Sequence, residues 1–407
     1  MIRLLKIDSV DKAKVELEKI GVEKVAIKLM EGKGTCYAIK VNGCRFYHAN
    51  ILKQESLAAG VDCAVHKDTI TARVEASDCL IMGDLKRLYR LADRLKAQNF
   101  LFLRQLSEEI KTALDNVVYG RFIFKFKGHR VVLKNRFMIM GILNVTPDSF
   151  FDGGEYLNTD DALKRVEKML DEGADIIDVG GESTRPFSYS VSVDEELKRV
   201  LPVIEAIKKN FPDAFVSVDT YKSKVANEVL DRGVEIINDI SGLGFDDKLI
   251  ETLSKSDCGI VEMHIKGTPK DMQKNPEYSD LVGEINSKFE EILKKLQERG
   301  IEKERVVLDP GIGFGKRLEH NLEILNSIEA FKIWGRPILV GTSRKSFIGG
   351  VLNIKNPKNR LFGTVSSNIV AYLKGARLFR VHDIKPHVEA LRLAEAILKE
   401  NFTPSSQ

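Results

Sequence analysis

The chain has one tryptophan, eleven prolines and five cysteines in 407 residues, and these scarcities remove several classes of protein. Cys36, Cys44, Cys63, Cys79 and Cys258 form no CxxC pair, and an odd number suits reduced thiols better than a disulfide framework. A zinc site in the first eighty residues is not expected from that spacing. No stretch approaches the roughly eighteen consecutive apolar residues of a membrane helix. Charges also interrupt MIRLLKIDSVDKAKVEL, where a signal peptide would be apolar. The expectation is a cytoplasmic protein that does not enter a membrane. A concentrated basic run is missing too: residues 1 to 134 hold 25 Lys and Arg against 16 Asp and Glu, but spread over helix and strand patterns as on a solvated face. No nucleic-acid partner is expected. What is present is an ordinary apolar content of 43%, enough for two domains or for one large barrel with an extension.

Residues 1–117 read as a small α+β domain of unassigned role. Val25–Leu29 and Tyr37–Val41, joined through Glu31-Gly32-Lys33-Gly34, have the alternation of a hairpin. Helical spacing follows in Asn50–Ala59, Leu85–Gln98 and Glu108–Asn116, with a strand at Leu80–Met82. His48 and His66 have no partners at metal-ligand spacing. Arg121–Leu133 alternates on both sides of Lys127-Gly128 and predicts a second hairpin, placed as a plug beneath the second domain. The domain boundary falls near 118, the second domain runs to 400, and 401–407 is a tail.

From Phe137 onward, short apolar strands alternate with amphipathic helices. Strands are predicted at Phe137–Leu143, Ile176–Val179, Phe215–Val218, Ile236–Ile237, Ile260–Met263, Val306–Leu308, Ile338–Val340 and Leu378–Phe379. Helices are predicted between and after them, among them Asp160–Glu172, Asp194–Lys209, Lys222–Asp231, Leu281–Arg299 and Lys385–Lys399. Eight βα units of this total length predict a (β/α)8 TIM barrel. An open doubly wound sheet is disfavoured because no GxGxxG follows the first strand.

A barrel gathers the C-terminal ends of its strands on one face, so the residues there belong together. They are Asn144; Glu182 to Arg185; Asp219; Asn238 and Asp239; Met263 and His264; Asp309; Thr342 to Lys345; and Arg380, His382 and Asp383. Asp219 and Asp309, with Asn238, offer acceptors for the paired N–H groups of a planar heterocycle. Met263 reads either as an apolar wall of that pocket or as barrel core. The cations Lys345, Arg380 and His382 follow the last two strands, where such barrels often hold phosphate, which suits a heterocycle carrying phosphate or pyrophosphate. Asp309-Pro-Gly-Ile-Gly-Phe-Gly-Lys316 fails the phosphate-loop spacing. Its glycines are expected to let backbone approach a flat ligand, with Phe314 as a side wall. The opening MGILNVTPDSFFDGG places Phe150 and Phe151 on a polar, glycine-bearing loop.

The segments MGILNVTPDSF, GGESTRP, VDT, INDISG, EMHIKGTP, LDPGIGFGK, GTSRKSFIG and RVHD, in this order over about residues 120 to 400, resemble the dihydropteroate synthase family. The resemblance implies condensation of 6-hydroxymethyl-7,8-dihydropterin pyrophosphate with p-aminobenzoate, with Mg2+ as cofactor and room for a homodimer. It implies pterin binding by Asp219, Asn238, Met263, Asp309 and Lys345. Pyrophosphate falls to Asn144, Arg185, Arg380 and His382, and the metal to Asn144. p-Aminobenzoate falls to Phe150, Thr184, Arg185, Pro186, Phe314, Lys345 and Ser346. The catalytic set is Asn144, Arg185, Lys345, Arg380 and His382. One departure is Phe187, where family members usually carry Gly after the Arg-Pro. A second class, corrinoid methyltransferases on the same pterin-binding barrel, shares the Asp and Asn but needs no pyrophosphate site, so Lys345 and RVHD favour the synthase.

Overall fold

The computed structural model describes residues 2–3, 5–134, 136–146, 159–184 and 188–399. It divides into two units, Met1–Gly120 and Arg121–Gln407.

The first unit is α+β. Its strands β1 (Cys36–Arg45), β2 (Asp62–Ala64) and β3 (Ala76–Asp84) form an antiparallel sheet in the order β1-β3-β2. Helices Phe46–Ala59, Leu85–Lys96 and Leu101–Tyr119 supply apolar stripes, and Leu52, Leu88, Leu91, Leu95 and Leu103 bury with Ile81. The first predicted hairpin does not form: Lys24–Met30 is a helix, and β1 pairs with β3 some forty residues on. Val25, Ile27 and Leu29 alternate as a strand would, but only Ile27 is buried; Val25 is 73% and Leu29 56% exposed. Alternation over so short a run does not distinguish strand from helix, and the longer ladder with β3 decided the pairing.

The second unit opens with the hairpin β4 (Ile123–Phe126) and β5 (His129–Val132). Lys127 and Gly128 at its turn have φ of 40° and 76°, the positive pair a two-residue turn needs to match strand twist. Eight parallel strands come next: β6 (Met138–Asn144), β7 (Ile176–Gly180), β8 (Phe215–Asp219), β9 (Ile236–Asp239), β10 (Gly259–Met263), β11 (Val306–Asp309), β12 (Leu339–Val340) and β13 (Leu378–Val381). Their order is β11-β10-β9-β8-β7-β6-β13-β12, and a parallel bridge between Leu308 and Ile338 joins the two ends, closing a TIM barrel. All eight strands lie where apolar runs predicted them.

Alternate residues of each strand face inward. Towards the strand N-termini these are Met138, Met140, Ile176, Ile236, Val261, Val307, Leu339 and Leu378, and Phe122, Phe124, Phe126 and Leu133 of the hairpin pack against them as the plug. The intervening residues, such as Ile139, Val179, Val218, Ile260 and Val340, bury against the surrounding helices. With its lower half filled, the barrel leaves the inward positions at the strand C-termini to polar groups.

Candidate active site

The strand register sets the site. Asn144 of β6 lies beside Gly180 of β7, Gly180 beside Asp219 of β8, and Asp219 beside Asn238 of β9; on the next pair, Met263 of β10 lies beside Asp309 of β11. Five of the predicted ligands thus stand on one rim through backbone pairing alone.

At its centre is a residue that motif reading missed. Asp178, inside the apolar run of β7, is fully buried; its Oδ2 accepts from Arg380 Nε at 2.6 Å and from Asn238 Nδ2 at 3.2 Å. Arg380 Nη2 donates to Asp219 Oδ2 at 2.7 Å, so one guanidinium joins two carboxylates. A charged residue at an inward position of an otherwise apolar strand was the available signal, since a buried carboxylate requires a partner. Burial pushes Asp219 up to about 7 despite the opposing pull of Arg380. Asp309 is also raised by burial, with Lys345 opposing, and its Oδ1 accepts the Gly311 N–H at 2.7 Å.

Lys345 caps the helix Ser346–Leu352. Its ammonium donates to the Ile312 carbonyl and lies 4.6 Å from the centre of the Phe314 ring. Burial pulls it down to about 8, with Asp309 resisting. Phe314 and Thr184 are half-buried, Ser346 is exposed, and Met263 is buried at the rim.

Two expectations are corrected. His382 is not a cation at neutral pH: burial, with Arg344 and Arg380 nearby, holds it down at about 3. Its Nδ1 lies 2.8 Å from Ser343 Oγ, which also accepts the His382 N–H at 3.2 Å, so the neutral ring is held in place by one hydroxyl. The glycines of the 309–316 loop serve a neighbouring loop more than a ligand. A Cβ on Gly311 would lie 1.9 Å from the His264 carbonyl oxygen, and one on Gly315 2.3 Å from that of Lys266; only Gly313 faces a site residue, the Lys345 stem at 3.1 Å. Lys316 completes that junction, donating to the carbonyls of His264 and Phe314 and meeting His264 Nδ1 at 2.9 Å.

Other strand-end residues serve the scaffold. Asp239 points away from the pocket and accepts from Ser241 and from the Leu243 N–H. Beside it in register, Glu262 is fully buried, and burial together with the Asp239 charge raises it well above the usual carboxylate range. Asp383 pairs with Arg344, which holds a left-handed φ of 58°. Phe150, Arg185, Pro186 and Phe187 lie outside the described residues.

The pterin binding enzyme family model matches residues 140–382, which contain every strand-end residue described above except Asp383. The dihydropteroate synthase of Escherichia coli K12 is 47% identical over 265 residues, 65% of this chain and 93% of that protein. A probable bifunctional folylpolyglutamate synthase/dihydropteroate synthase of Halobacterium salinarum is 36% identical over 392 residues, 96% of this chain but 46% of that protein, so its match extends into the first unit. Among solved structures, Yersinia pestis dihydropteroate synthase in a sulfonamide drug complex superposes with TM-score 0.65 at 42% identity, covering 69% of this chain and all of that one. The Thermus thermophilus enzyme in complex with 4-aminobenzoate gives 0.61 at 39%, covering 68% and 99%. A closed barrel with paired carboxylates and an amide at its C-terminal rim, and a match over more than half of the chain, lead to one assignment: the chain belongs to the pterin binding enzyme family.

Proposed function

We propose that the protein is a dihydropteroate synthase, a transferase that condenses 6-hydroxymethyl-7,8-dihydropterin pyrophosphate with p-aminobenzoate to give 7,8-dihydropteroate and pyrophosphate in the cytoplasm. The observation that carries this reading is the buried acceptor set of Asp178, Asp219, Asn238 and Asp309 in one barrel mouth, beside the cations Arg380 and Lys345. Asp219, Asn238 and Asp309 accept the N–H groups along the pterin edge, with Met263 against the ring and Lys345 donating to it. Anchoring the ring there leaves its methylene pyrophosphate facing Asn144, Arg185, Arg380 and His382. The neutral His382 contributes an N–H donor, and Arg380 contributes charge.

The donor set at the end of β6 fits a magnesium ion. Asn144 offers a hard amide oxygen beside Gly180, whose Cβ position lies 3.4 Å from it. Magnesium would be held by Asn144 with substrate oxygens and water, and it supplies charge neutralisation to the leaving pyrophosphate.

The rest is positioning. The methylene C–O bond breaks with its electron pair on pyrophosphate, and Arg380 and His382 stabilise that developing charge. The amine lone pair of p-aminobenzoate forms the C–N bond, and the anilinium proton leaves to solvent or pyrophosphate. Phe150, Thr184, Arg185, Pro186, Phe314, Lys345 and Ser346 hold the arylamine in line for attack, which substitutes orientation for general-base work. Asp219→Ala and Asp309→Ala test the assignment: each should cost roughly 2 to 5 kcal/mol of pterin affinity in a folded protein, read by calorimetry and by pyrophosphate release. Unchanged affinity in both would remove the pterin site.

A homodimer is part of the same reading. Helices Leu318–Asn326, Ser346–Leu352 and Leu361–Leu373 pack together and leave Leu322, Val351, Leu352 and Phe362 outward, Phe362 with 84% of its surface exposed. Exposed apolar side chains on neighbouring helices suit an interface with a second copy. Phe362→Glu should shift the mass measured by light scattering to that of a monomer.

A further inference from the structure

The chain carries a buried charge cluster that the reaction does not use. Lys222, just after β8, donates to Glu182 Oε2 at 2.5 Å and also to Glu196. The cluster is nearly dry: side-chain exposure is 12% for Lys222, 7% for Glu182 and 1% for Glu196. Tyr221 O–H donates to Glu182 Oε1 at 3.0 Å, and the Val191 N–H donates to Glu182 Oε2 at 3.0 Å. Gly181 makes the space, since a Cβ there would lie 3.0 Å from Glu196 Cγ.

The positions of these groups give the cluster a purpose. Glu182 begins the connection that leaves β7, Val191 ends it, and Glu196 lies in the first turn of the helix Val193–Asn210 that follows. One carboxylate therefore holds both ends of the connection, and one ammonium ties that carboxylate to the helix beyond it and to the end of the strand that carries Asp219. Thr184, two residues from Glu182, belongs to the set assigned above to the arylamine.

We propose that Lys222 is a positioning residue for the arylamine: by neutralising Glu182 and Glu196 together it pins both ends of the 182–191 connection, and so sets the position of Thr184. This rests on the synthase reading. Two buried carboxylates with one shared counter-ion form a unit that fails when the counter-ion is removed, because the charges left behind must find water or protons. Burial already raises Glu196 against the pull of Lys222, and its Oε1 has no partner.

The experiment compares steady-state kinetics of the full chain with Lys222→Met and Lys222→Arg, varying each substrate in turn. The wild type must form dihydropteroate; if it does not, the activity assignment fails and the anchor is not at issue. With an active wild type, Lys222→Met should raise KM for p-aminobenzoate at least tenfold and change KM for the pterin pyrophosphate less than twofold, while Lys222→Arg restores most of the loss. Should Lys222→Met not fold, the triple variant Lys222→Met/Glu182→Met/Glu196→Met removes both ion pairs together with matched apolar groups and should recover the melting temperature but not the arylamine KM. An unchanged arylamine KM in a folded variant, or equal rises in both KM values, overturns the proposal.

Discussion

The two units bury different things. Among the described residues, the first unit buries five polar side chains, Thr35, Ser56, Thr69, Ser77 and Ser107, all of them hydroxyls. The barrel unit buries charged side chains as well: Asp178, Glu182, Glu196, Asp219, Asp239, Glu262, Asp309 and Lys316, most of them at or beside strand C-termini, and Arg305 and Arg336 before the starts of β11 and β12. A buried hydroxyl can be satisfied by a nearby carbonyl, as Ser107 is by Ala92, whereas a buried charge needs a partner or a shifted pKa. The barrel unit keeps charge inside, some of it at its mouth, as Asp178 and Asp219 with Arg380, and some in the scaffold, as Glu196 with Lys222, whereas the described interior of the first unit holds none.

The largest expected effect tests that contrast directly. Arg380→Met leaves Asp178 and Asp219 without their shared cation and should cost about 3 to 5 kcal/mol, read as a fall in thermal or denaturant stability together with loss of turnover. In the first unit, Arg94→Met removes the 2.7 Å pair with Glu55, whose arginine is 39% exposed, and should cost at most about 1 kcal/mol. Equal losses would dissolve the distinction. A smaller effect separates the glycines: Gly311 at a φ of 70° and Gly21 at 83° both pay about 1 to 2 kcal/mol of backbone strain on becoming alanine, and Gly311→Ala adds about 1 to 3 kcal/mol by driving a methyl into the His264 carbonyl, while Gly21 has open space around it. Urea titrations of the two variants would measure the difference.

The protonation states predict a pH response in the barrel. Asp219 titrates near 7 in the fold and near about 4 unfolded, so its protonated form favours the native state. Its contribution to stability is complete below about pH 4 and is lost as pH rises through 7. Pterin affinity runs the other way, because the carboxylate is the better acceptor, and should fall up to about tenfold per pH unit below 7. Lys345 loses its proton near 8, so kcat/KM should form a narrow bell between about 7 and 8. Asp219→Asn should abolish the acid limb in a calorimetric pH series; a limb that survives it belongs to another group. The smallest expected effect is removal of the first unit. A chain beginning at Arg121 should keep turnover within about tenfold, or about 1.4 kcal/mol of barrier, and a folded but inactive barrel would show that the first unit completes the site.

Much of the barrel was readable because its strands are short apolar runs at regular intervals, and closing eight of them brings their ends together whatever the loops do. Asn144, Asp219, Asn238, Met263 and Asp309 follow from that, each at the end of its run. Asp178 did not, because it sits inside IIDVG, where the surrounding apolar residues read as uniform core. The helix Lys24–Met30 was misread because alternation in a few residues satisfies both periods.

Sequence by itself determined the number of βα units, the plug hairpin with its Lys127-Gly128 turn, and the residue types delivered to the rim, since these depend on local period and chain order. Only tertiary structure decided which charges meet and which stay charged. Arg380 reaches Asp178 across 202 residues and Asp219 across 161. The neutrality of His382 and the lowered Lys345 come from groups and burial distant in the chain. Pairing and desolvation depend on distances between side chains that only the closed barrel brings together.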